Sequence, residues 1–252
     1  MALNTPMIKT EICINSPESA VAAQKGGAER VELCANLLEG GTTPSIGAVK
    51  TARAAVQIGL HVIIRPRGGD FLFNAFEFET MKHDIEAMKA LGIDGVVIGS
   101  LTQEAEIDVP QTKALIEIAR PLSVTFHRAF DMCRDPSAAL ETLVDLGVDR
   151  ILTSGQEESV IEGIDLIKAL NDQARDRIII MPGGGITPRN LNKLVDYTGV
   201  KEVHFAAMKT VASGMNFRNE RVYMGGTLRP PEYESQVADD QAIAAMRGLI
   251  GG

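Results

Sequence analysis

A short phrase recurs four times along the chain, each time directly before a run of β-branched and apolar residues. It begins with glycine and stands at 27–31, 92–96, 147–151 and 199–203. Each glycine fits the left-handed position that ends a helix, and the residues after it lead into a strand. The copies precede the second, fourth, sixth and eighth of eight strand segments, as expected of a barrel built from two-strand modules. An open doubly wound sheet is the alternative, but it does not require a fourfold recurrence.

Longer stretches with helical periodicity separate these strand segments. The predicted strands are 8–13, 30–34, 61–65, 95–98, 123–126, 150–153, 178–181 and 202–205, and the clearest helices are 16–25, 77–91, 158–171 and 235–250. The chain has 252 residues, close to the length of one barrel of this kind. We therefore predict an α/β protein with a single-domain (β/α)8 TIM barrel over 1–252, its core at 7–250.

Composition and charge argue against two classes of binding partner, nucleic acids and membranes. A net charge of −8 argues against nucleic-acid binding, which needs clustered Lys and Arg. No apolar run approaches the roughly 18 residues of a membrane span, and residues 1–9 lack the pattern of a signal peptide. We expect a cytoplasmic protein, without nucleic-acid or membrane partners, whose cysteines Cys13, Cys34 and Cys133 are reduced.

Alternation along the strands predicts which side chains face the barrel interior. In the second strand, apolar Val31 and Leu33 face the helices, so Arg30, Glu32 and Cys34 point inward. The corresponding residues of the other strands are Glu11, Cys13, His61, Ile63, Arg65, Ser123, Thr125, His127, Leu152, Ser154, Glu202 and His204. Buried carboxylates need cations, and the candidates are Arg30, Arg65 and His204. Such a polar ring at strand ends is either an active site or a structural ion-pair network.

Two matching phrases, Glu11-Ile12-Cys13 and Glu32-Leu33-Cys34, end consecutive strands. Neighbouring strands lie about 4.8 Å apart, so the two thiols can approach each other at the barrel mouth. Paired thiolates in a reducing compartment suit Cu(I). The alternative is that each cysteine is a small buried hydrophobe.

Three loops after strands carry further candidates. Arg65, Arg67 and Asp70 predict a cradle for a carboxylate or phosphate, or else a loop whose arginines pair with Glu11, Glu32 and Asp70. His127 stands where a general acid–base residue would be placed, followed by Arg128 and by Asp131, which can orient a partner.

The third loop contains Gly183, Gly184 and Gly185, ahead of Thr187 as N-cap and Pro188 as first helical residue. It predicts an anion site, with a tight turn as the alternative. A segment after strand eight, 213–219, can overhang the mouth as a lid.

Together these phrases resemble the copper homeostasis protein CutC family. The matching motifs are 11–13, 30–34, 39–45, 64–71, 125–132, 152–155, 183–186 and 217–219. The resemblance implies a cytosolic (β/α)8 barrel, a homodimer or higher homo-oligomer, linked to copper handling. It also implies Cu(I) binding at Cys13 and Cys34. One departure is 205–207, Phe-Ala-Ala, where family members often carry a small hydroxyl residue.

Two main functions follow. In the first, Cys13 and Cys34 bind Cu(I), with Glu11 and Glu32 behind them. The second is a TIM-barrel enzyme of unknown reaction that acts on a small anionic or phosphorylated metabolite, with His127, Glu11 and Glu32 as catalytic candidates. Its predicted anion-binding residues are Arg65, Arg67, Asp70, Arg128, Asp131, Ser154, Gly183, Gly184, Gly185 and His204. A scaffold for partners is the third reading, with no organic cofactor in any of them.

Overall fold

The computed structural model describes residues 8–227 and 229–251, and its centre is a sheet of eight parallel strands. The strands are β1 (Lys9–Ile14), β2 (Arg30–Leu33), β3 (Gly59–Ile63), β4 (Gly95–Ile98), β5 (Ser123–Phe126), β6 (Arg150–Thr153), β7 (Ile179–Pro182) and β8 (Glu202–Phe205). Neighbours in the chain pair with each other, β1 also pairs with β8, and a parallel bridge between Gly183 and His204 joins the end of β7 to β8. The predicted TIM barrel is confirmed.

Helices alternate with the strands and cover the outside of the sheet. They are α1 (Pro17–Lys25), α2 (Ile46–Ala55), α3 (Ala75–Lys89), α4 (Val109–Ala119), α5 (Pro136–Asp145), α6 (Ile164–Ala174), α7 (Leu191–Thr198) and α8 (Asp240–Ile250). No helix within the described ranges is both long and apolar enough to cross a membrane. Residues 1–7, 228 and 252 of the predicted domain lie outside the described residues, as does most of the segment searched for a signal peptide.

The recurring glycines take the conformation that the sequence predicts. Gly27, Gly92, Gly147 and Gly199 have φ of 86°, 74°, 74° and 68°. A side chain is strained at such angles, whereas glycine adopts them freely. Each glycine therefore ends a helix and turns the chain into the next even-numbered strand.

Two predicted helices begin later than expected. Residues 158–163 form turns, and α6 starts only at Ile164, because Val160 N donates to Gly184 O (2.9 Å) and ties this segment to the loop after β7. Residues 235–238, predicted as the start of the last helix, belong to the strand β10 (Glu234–Ala238), which pairs antiparallel with β9 (Met208–Ala212). The β9–β10 arm (208–238) thus lies between β8 and α8.

The alternation of side chains separates an apolar shell from a polar interior. Val31 and Leu33 of β2 are fully buried in the shell between sheet and helices. Inside the barrel, Glu11, Glu32 and Glu202 are at most 3% exposed. Because a buried carboxylate is costly without partners, the interior must contain matching cations.

Candidate functional site

The lower part of the barrel interior is filled by four charged side chains, one each from β1, β2, β6 and β8. Arg30 of β2 bridges two carboxylates, with Nε on Glu11 Oε2 and Nη2 2.6 Å from Glu202 Oε2. Arg150 of β6 approaches the same Glu202 oxygen with Nε at 2.8 Å. Burial alone would raise the pKa of Glu11, but the charge of Arg30 and the imidazole of His204 hold it well below its ordinary value. This layer is a structural ion-pair network, as one alternative predicted.

His204 of β8 connects this network to the groups above it. Its Nδ1 lies 2.8 Å from Glu11 Oε1, which leaves Nε2 for the opposite side, 3.6 Å from Glu32 Oε2. Burial disfavours the charged imidazole, but hydrogen bonds with Cys13 and Glu11 raise the pKa of His204 well above its ordinary value. An imidazole oriented by a carboxylate in this way presents a directed Nε2 to a metal ion or to a thiol.

Cys13, Glu32 and His204 converge at one point. A ligand atom from each lies within 4.8 Å of the others. The register explains the cluster, because Cys13 of β1 stands opposite Glu32 of β2 and Glu11 stands opposite His204 of β8. Burial raises the pKa of Glu32 to about 8, and its Oε1 has no hydrogen-bond partner among the described residues.

The two cysteines of the matching strand-end phrases lie in one small cluster, in which Cys34 is buried and against which Cys13 packs. The hydrogen bond with Cys34 is the main reason that the pKa of Cys13 is lowered to about 5, and the His204 hydrogen bond adds to it against burial. The same contact, together with burial, raises the pKa of Cys34 well above its ordinary value. The pair therefore holds one thiolate, on Cys13, at neutral pH. Cys34 packs with Ile63 and Val97 in a small apolar cluster inside the barrel.

His61 and Gly95 show how a small residue makes room for an interior ring. A Cβ on Gly95 would lie 2.5 Å from His61 Nε2, so the imidazole occupies the space of the missing side chain. Burial lowers the pKa of His61 to about 4, and its Nδ1 is 3.6 Å from Glu11 Oε2. His61 is thus neutral and fills the barrel below the thiols.

Above the thiols, a cavity of about 110 Å³ opens toward the C-terminal ends of the strands. Its walls contain both charged and apolar side chains. The lining residues are Cys13, Glu32, Cys34, Gly40, Ile63, Arg65, Phe71, His127, Arg128, Leu152 and His204. Seven of the fifteen predicted site residues therefore line one space.

The ring of His127 has a defined tautomer. Its Nδ1 accepts from Ala129 N (3.1 Å), so the proton of the neutral ring is on Nε2. Burial and the charge of Arg65 lower the pKa of His127 to about 3. At neutral pH the ring is therefore a hydrogen-bond donor through Nε2, and that atom is buried without a partner in the described part of the chain.

The two arginines of the loop after β3 have different partners. Arg65 Nη1 donates to Glu39 O (2.7 Å) and Gly41 O (2.8 Å), and Nη2 donates to Gly69 O (2.8 Å). Arg65 does not contact Glu11 or Glu32, the pairing considered for it from the sequence.

Arg67 instead turns away from the cavity. It pairs with Asp70 Oδ1 at 2.9 Å and with Glu77 Oε1 at 2.5 Å. Arg67 and Asp70 thus organise the loop, and their predicted anion-binding role stays a prediction.

A second polar group lies at the rim, after β5 and β6. Arg128 Nε is 2.7 Å from Asp131 Oδ2, and its Nη2 donates to Ser154 Oγ at 2.6 Å. Asp131 also accepts from Ser154 N and from Thr153 Oγ1. The predicted residues Arg128, Asp131 and Ser154 are therefore together, and they satisfy one another.

The glycine loop after β7 differs from its prediction in one respect. Helix α7 begins at Leu191 with Asn190 before it, so Thr187 and Pro188 are not its N-cap and first residue. Asn190 Oδ1 accepts from Thr187 N (2.8 Å), which closes an extra turn between the glycines and the helix. Gly184, with φ of 119°, lies against Arg128 and Ser154, and Gly183 lies against His204.

One interior group, Arg150, was missed as a charge partner from the sequence. Arg150 has the same phase as Leu152 and Ser154, so the rule of alternation was sufficient to find it.

Cys133 lies outside the cluster, where Gln156 Nε2 donates to its carbonyl (2.6 Å). The predicted lid, 213–219, belongs to the β9–β10 arm and does not line the cavity.

Comparison with known proteins gives a consistent result. The model of the CutC family matches residues 8–209. The human copper homeostasis protein cutC homolog is 51% identical over 239 residues, which cover 95% of this chain and 88% of that protein. A family protein CutC of Bacteroides thetaiotaomicron is 52% identical over 234 residues, covering 92% and 94%.

Solved structures agree with the fold. A candidate copper homeostasis protein CutC from Streptococcus agalactiae superposes with a TM-score of 0.76 and 40% identity, covering 79% of this chain and 98% of that chain. Phosphoribosylanthranilate isomerase from Thermotoga maritima has a TM-score of 0.57 and 13% identity, covering 97% and 98%, a likeness of fold alone.

Proposed function

The chain belongs to the CutC family of copper homeostasis proteins, and we propose that it binds Cu(I) through the thiolates of Cys13 and Cys34. The observation that carries this proposal is the convergence of Cys13 with His204 and Glu32, together with Cys34 in the cluster against which Cys13 packs. The lowering of the Cys13 pKa to about 5 supports it. Thiolate, not thiol, is the metal ligand, so the pair is already half prepared for a cation.

The donor set fits the ion. Cu(I) prefers soft sulfur ligands, and imidazole is an acceptable third donor. His204 Nε2 belongs to the cluster with Cys13 and would complete the coordination. Glu32 presents a harder oxygen, which suits Cu(I) less well, and we assign it to the surroundings of the ion. The apolar contacts of Cys34 with Ile63 and Val97 keep water from that sulfur.

Charge also supports this assignment. Glu11 holds Nδ1 of His204 and is itself held by Arg30, so the imidazole is fixed in orientation. Binding of Cu(I) would release the remaining thiol proton of Cys34 and the Nε2 proton of His204. Such proton release makes the affinity increase with pH.

We further propose that the protein acts in the cytoplasm as a homodimer or higher homo-oligomer. The β9–β10 arm exposes large apolar side chains, among them Phe217 (76% exposed) and Met224 (83% exposed). Large apolar side chains exposed within one short segment favour a protein–protein contact. Sedimentation of the purified chain measures the oligomeric state, and a monomer at micromolar concentration would contradict this part of the proposal.

The test of copper binding is an anaerobic Cu(I) competition titration against a strong chelator. The wild type should bind one Cu(I) tightly, and Cys13→Ser and Cys34→Ser should each lose most of the affinity. Cys133→Ser is the matched control, because Cys133 is also a buried free cysteine but does not line the cavity that Cys13 and Cys34 line. Unchanged stoichiometry and affinity in the Cys13→Ser/Cys34→Ser double variant would disprove the site.

A further inference from the structure

We propose that the cavity above the thiols is a binding site for a small monocarboxylate, anchored by Arg65 and His127. Neither residue is a proposed copper ligand, although Cys13, Cys34 and His204 line the same cavity. Two unsatisfied donors and one unpaired charge carry the inference.

The unpaired charge is that of Arg65. Its side chain is buried, with the residue 5% exposed. Its hydrogen-bond partners are backbone carbonyls, and no carboxylate of the described residues lies within ion-pair distance of its guanidinium. Arg30 and Arg150, by contrast, each pair with buried glutamates. Because a buried charge is normally paired or bound to a ligand, a ligand with one negative charge would stabilise Arg65.

The two donors are Arg65 Nε and His127 Nε2. Neither has a hydrogen-bond partner within residues 8–227 and 229–251. The proton on His127 Nε2 follows from its Nδ1, which accepts from the Ala129 backbone. Both side chains line the same cavity, and both lie near Phe71, whose ring centroid is 5.0 Å from the guanidinium carbon and 5.0 Å from the imidazole centroid. An unsatisfied buried donor is costly, so a ligand oxygen that accepts from these groups is favoured.

Size and charge select the class of ligand. The volume of about 110 Å³ is room for about four water molecules, which suits a carboxylate of about two to four carbon atoms. Of the other cations that line the cavity, Arg128 is already paired with Asp131 and His204 with Glu11, so the charge of Arg65 remains for the ligand. A carboxylate carries one charge and presents two oxygens to two donors, whereas a phosphate dianion would leave charge and acceptors unmatched. Phe71, Ile63 and Leu152 supply apolar contacts for the carbon chain.

The experiment is calorimetric titration of the metal-free, reduced protein with sodium acetate, lactate and pyruvate, and with sodium phosphate for comparison. At least one carboxylate should bind saturably, with a Kd of about 1 mM or tighter, and phosphate should bind more weakly. No saturable binding of any of the three carboxylates, or tighter binding of phosphate, would overturn the proposal.

Two variants of one residue separate a ligand contact from a structural role. His127→Asn keeps an oxygen near the position of Nδ1, able to accept from Ala129 N, but removes the Nε2 donor. His127→Gln keeps an amide N–H near the position of Nε2. Carboxylate affinity should fall about tenfold or more in His127→Asn, and should stay closer to that of the wild type in His127→Gln. Equal affinity of wild type and His127→Asn would refute the anchor.

Two further measurements distinguish failure of the carboxylate site from failure of a variant to fold and from failure of the copper site. Nitrogen NMR of the wild-type protein should show His127 as the Nε2–H tautomer, and the Nε2 resonance should shift when the carboxylate is added. This measurement needs no variant, so it tests the proposal even if His127→Asn fails to fold. Cu(I) affinity of His127→Gln should equal that of the wild type. The carboxylate proposal therefore does not depend on the copper proposal: it stands or falls on carboxylate binding, whether or not the wild type binds Cu(I).

Discussion

Replacement of Arg150 by methionine measures how strongly the interior ion pairs matter. Arg150 and Glu202 are 6% and 3% exposed, and Nε lies 2.8 Å from the carboxylate. The arginine also donates to Ser123 Oγ (3.1 Å) and Thr125 Oγ1 (3.3 Å). Removal of one partner from a buried pair costs about 3–5 kcal/mol. Since Arg30 remains 2.6 Å from Glu202, we expect Arg150→Met to lower the free energy of unfolding by about 3 kcal/mol, the lower end of that range.

The assay is guanidinium unfolding followed by far-UV circular dichroism, because the chain has no tryptophan. Arg177→Met is the control: Arg177 pairs with Glu141 through two nitrogens, but the side chains are 42% and 44% exposed. Solvent screens that pair, so its loss should change the free energy of unfolding far less. A loss below about 1 kcal/mol in Arg150→Met, or an equal loss in Arg177→Met, would refute the reasoning.

The same comparison has a pH dependence of defined sign. Burial raises the pKa of Glu202, but its bonds and charges with Arg150 and Arg30 outweigh this and lower it below the ordinary 4.5. A lowered carboxyl pKa contributes stability above the unfolded pKa and loses it as pH falls through the folded pKa. The difference between wild type and Arg150→Met should therefore be constant near neutral pH and shrink below pH 4.5.

Three further predictions concern the centre of the barrel. Glu11→Gln should weaken Cu(I) binding about 10- to 100-fold in chelator competition, because the carboxylate orients the ligating imidazole; an unchanged affinity would contradict this. Gly95→Ala should cost about 1–3 kcal/mol of unfolding free energy, since the new Cβ would lie 2.5 Å from His61 Nε2. The control Gly47→Ala in helix α2, with nothing nearer than 3.9 Å, should instead stabilise, and equal effects would refute the steric reason. In a pH titration of the wild type, the ultraviolet absorbance of thiolate should rise with an apparent pKa of about 5, and Cys13→Ser should lack this rise. If the first thiolate forms only at pH 8 or above, the lowered pKa of Cys13 is disproved.

The barrel was predictable because its signals are local. A glycine that ends a helix, β-branched runs of four to six residues and alternating side chains depend on near neighbours in the chain. The predicted and observed strands β4, β5, β6 and β8 have identical bounds. The predictions failed where a distant segment decides, as in 158–163, which the loop after β7 binds, and in 234–238, which pairs with a strand 26 residues earlier.

The sequence by itself determined which residues could face the interior, and the register of the closed sheet decided which of them meet. The parallel pairing sets Cys13 beside Glu32 and Glu11 beside His204, so the centre is a thiol, an imidazole and a carboxylate. Composition likewise required cations for the buried glutamates but did not say that Arg150 would serve and that Arg65 would remain unpaired. The physical reason is that ion pairing depends on distances across the barrel, which only the tilt and closure of all eight strands fix.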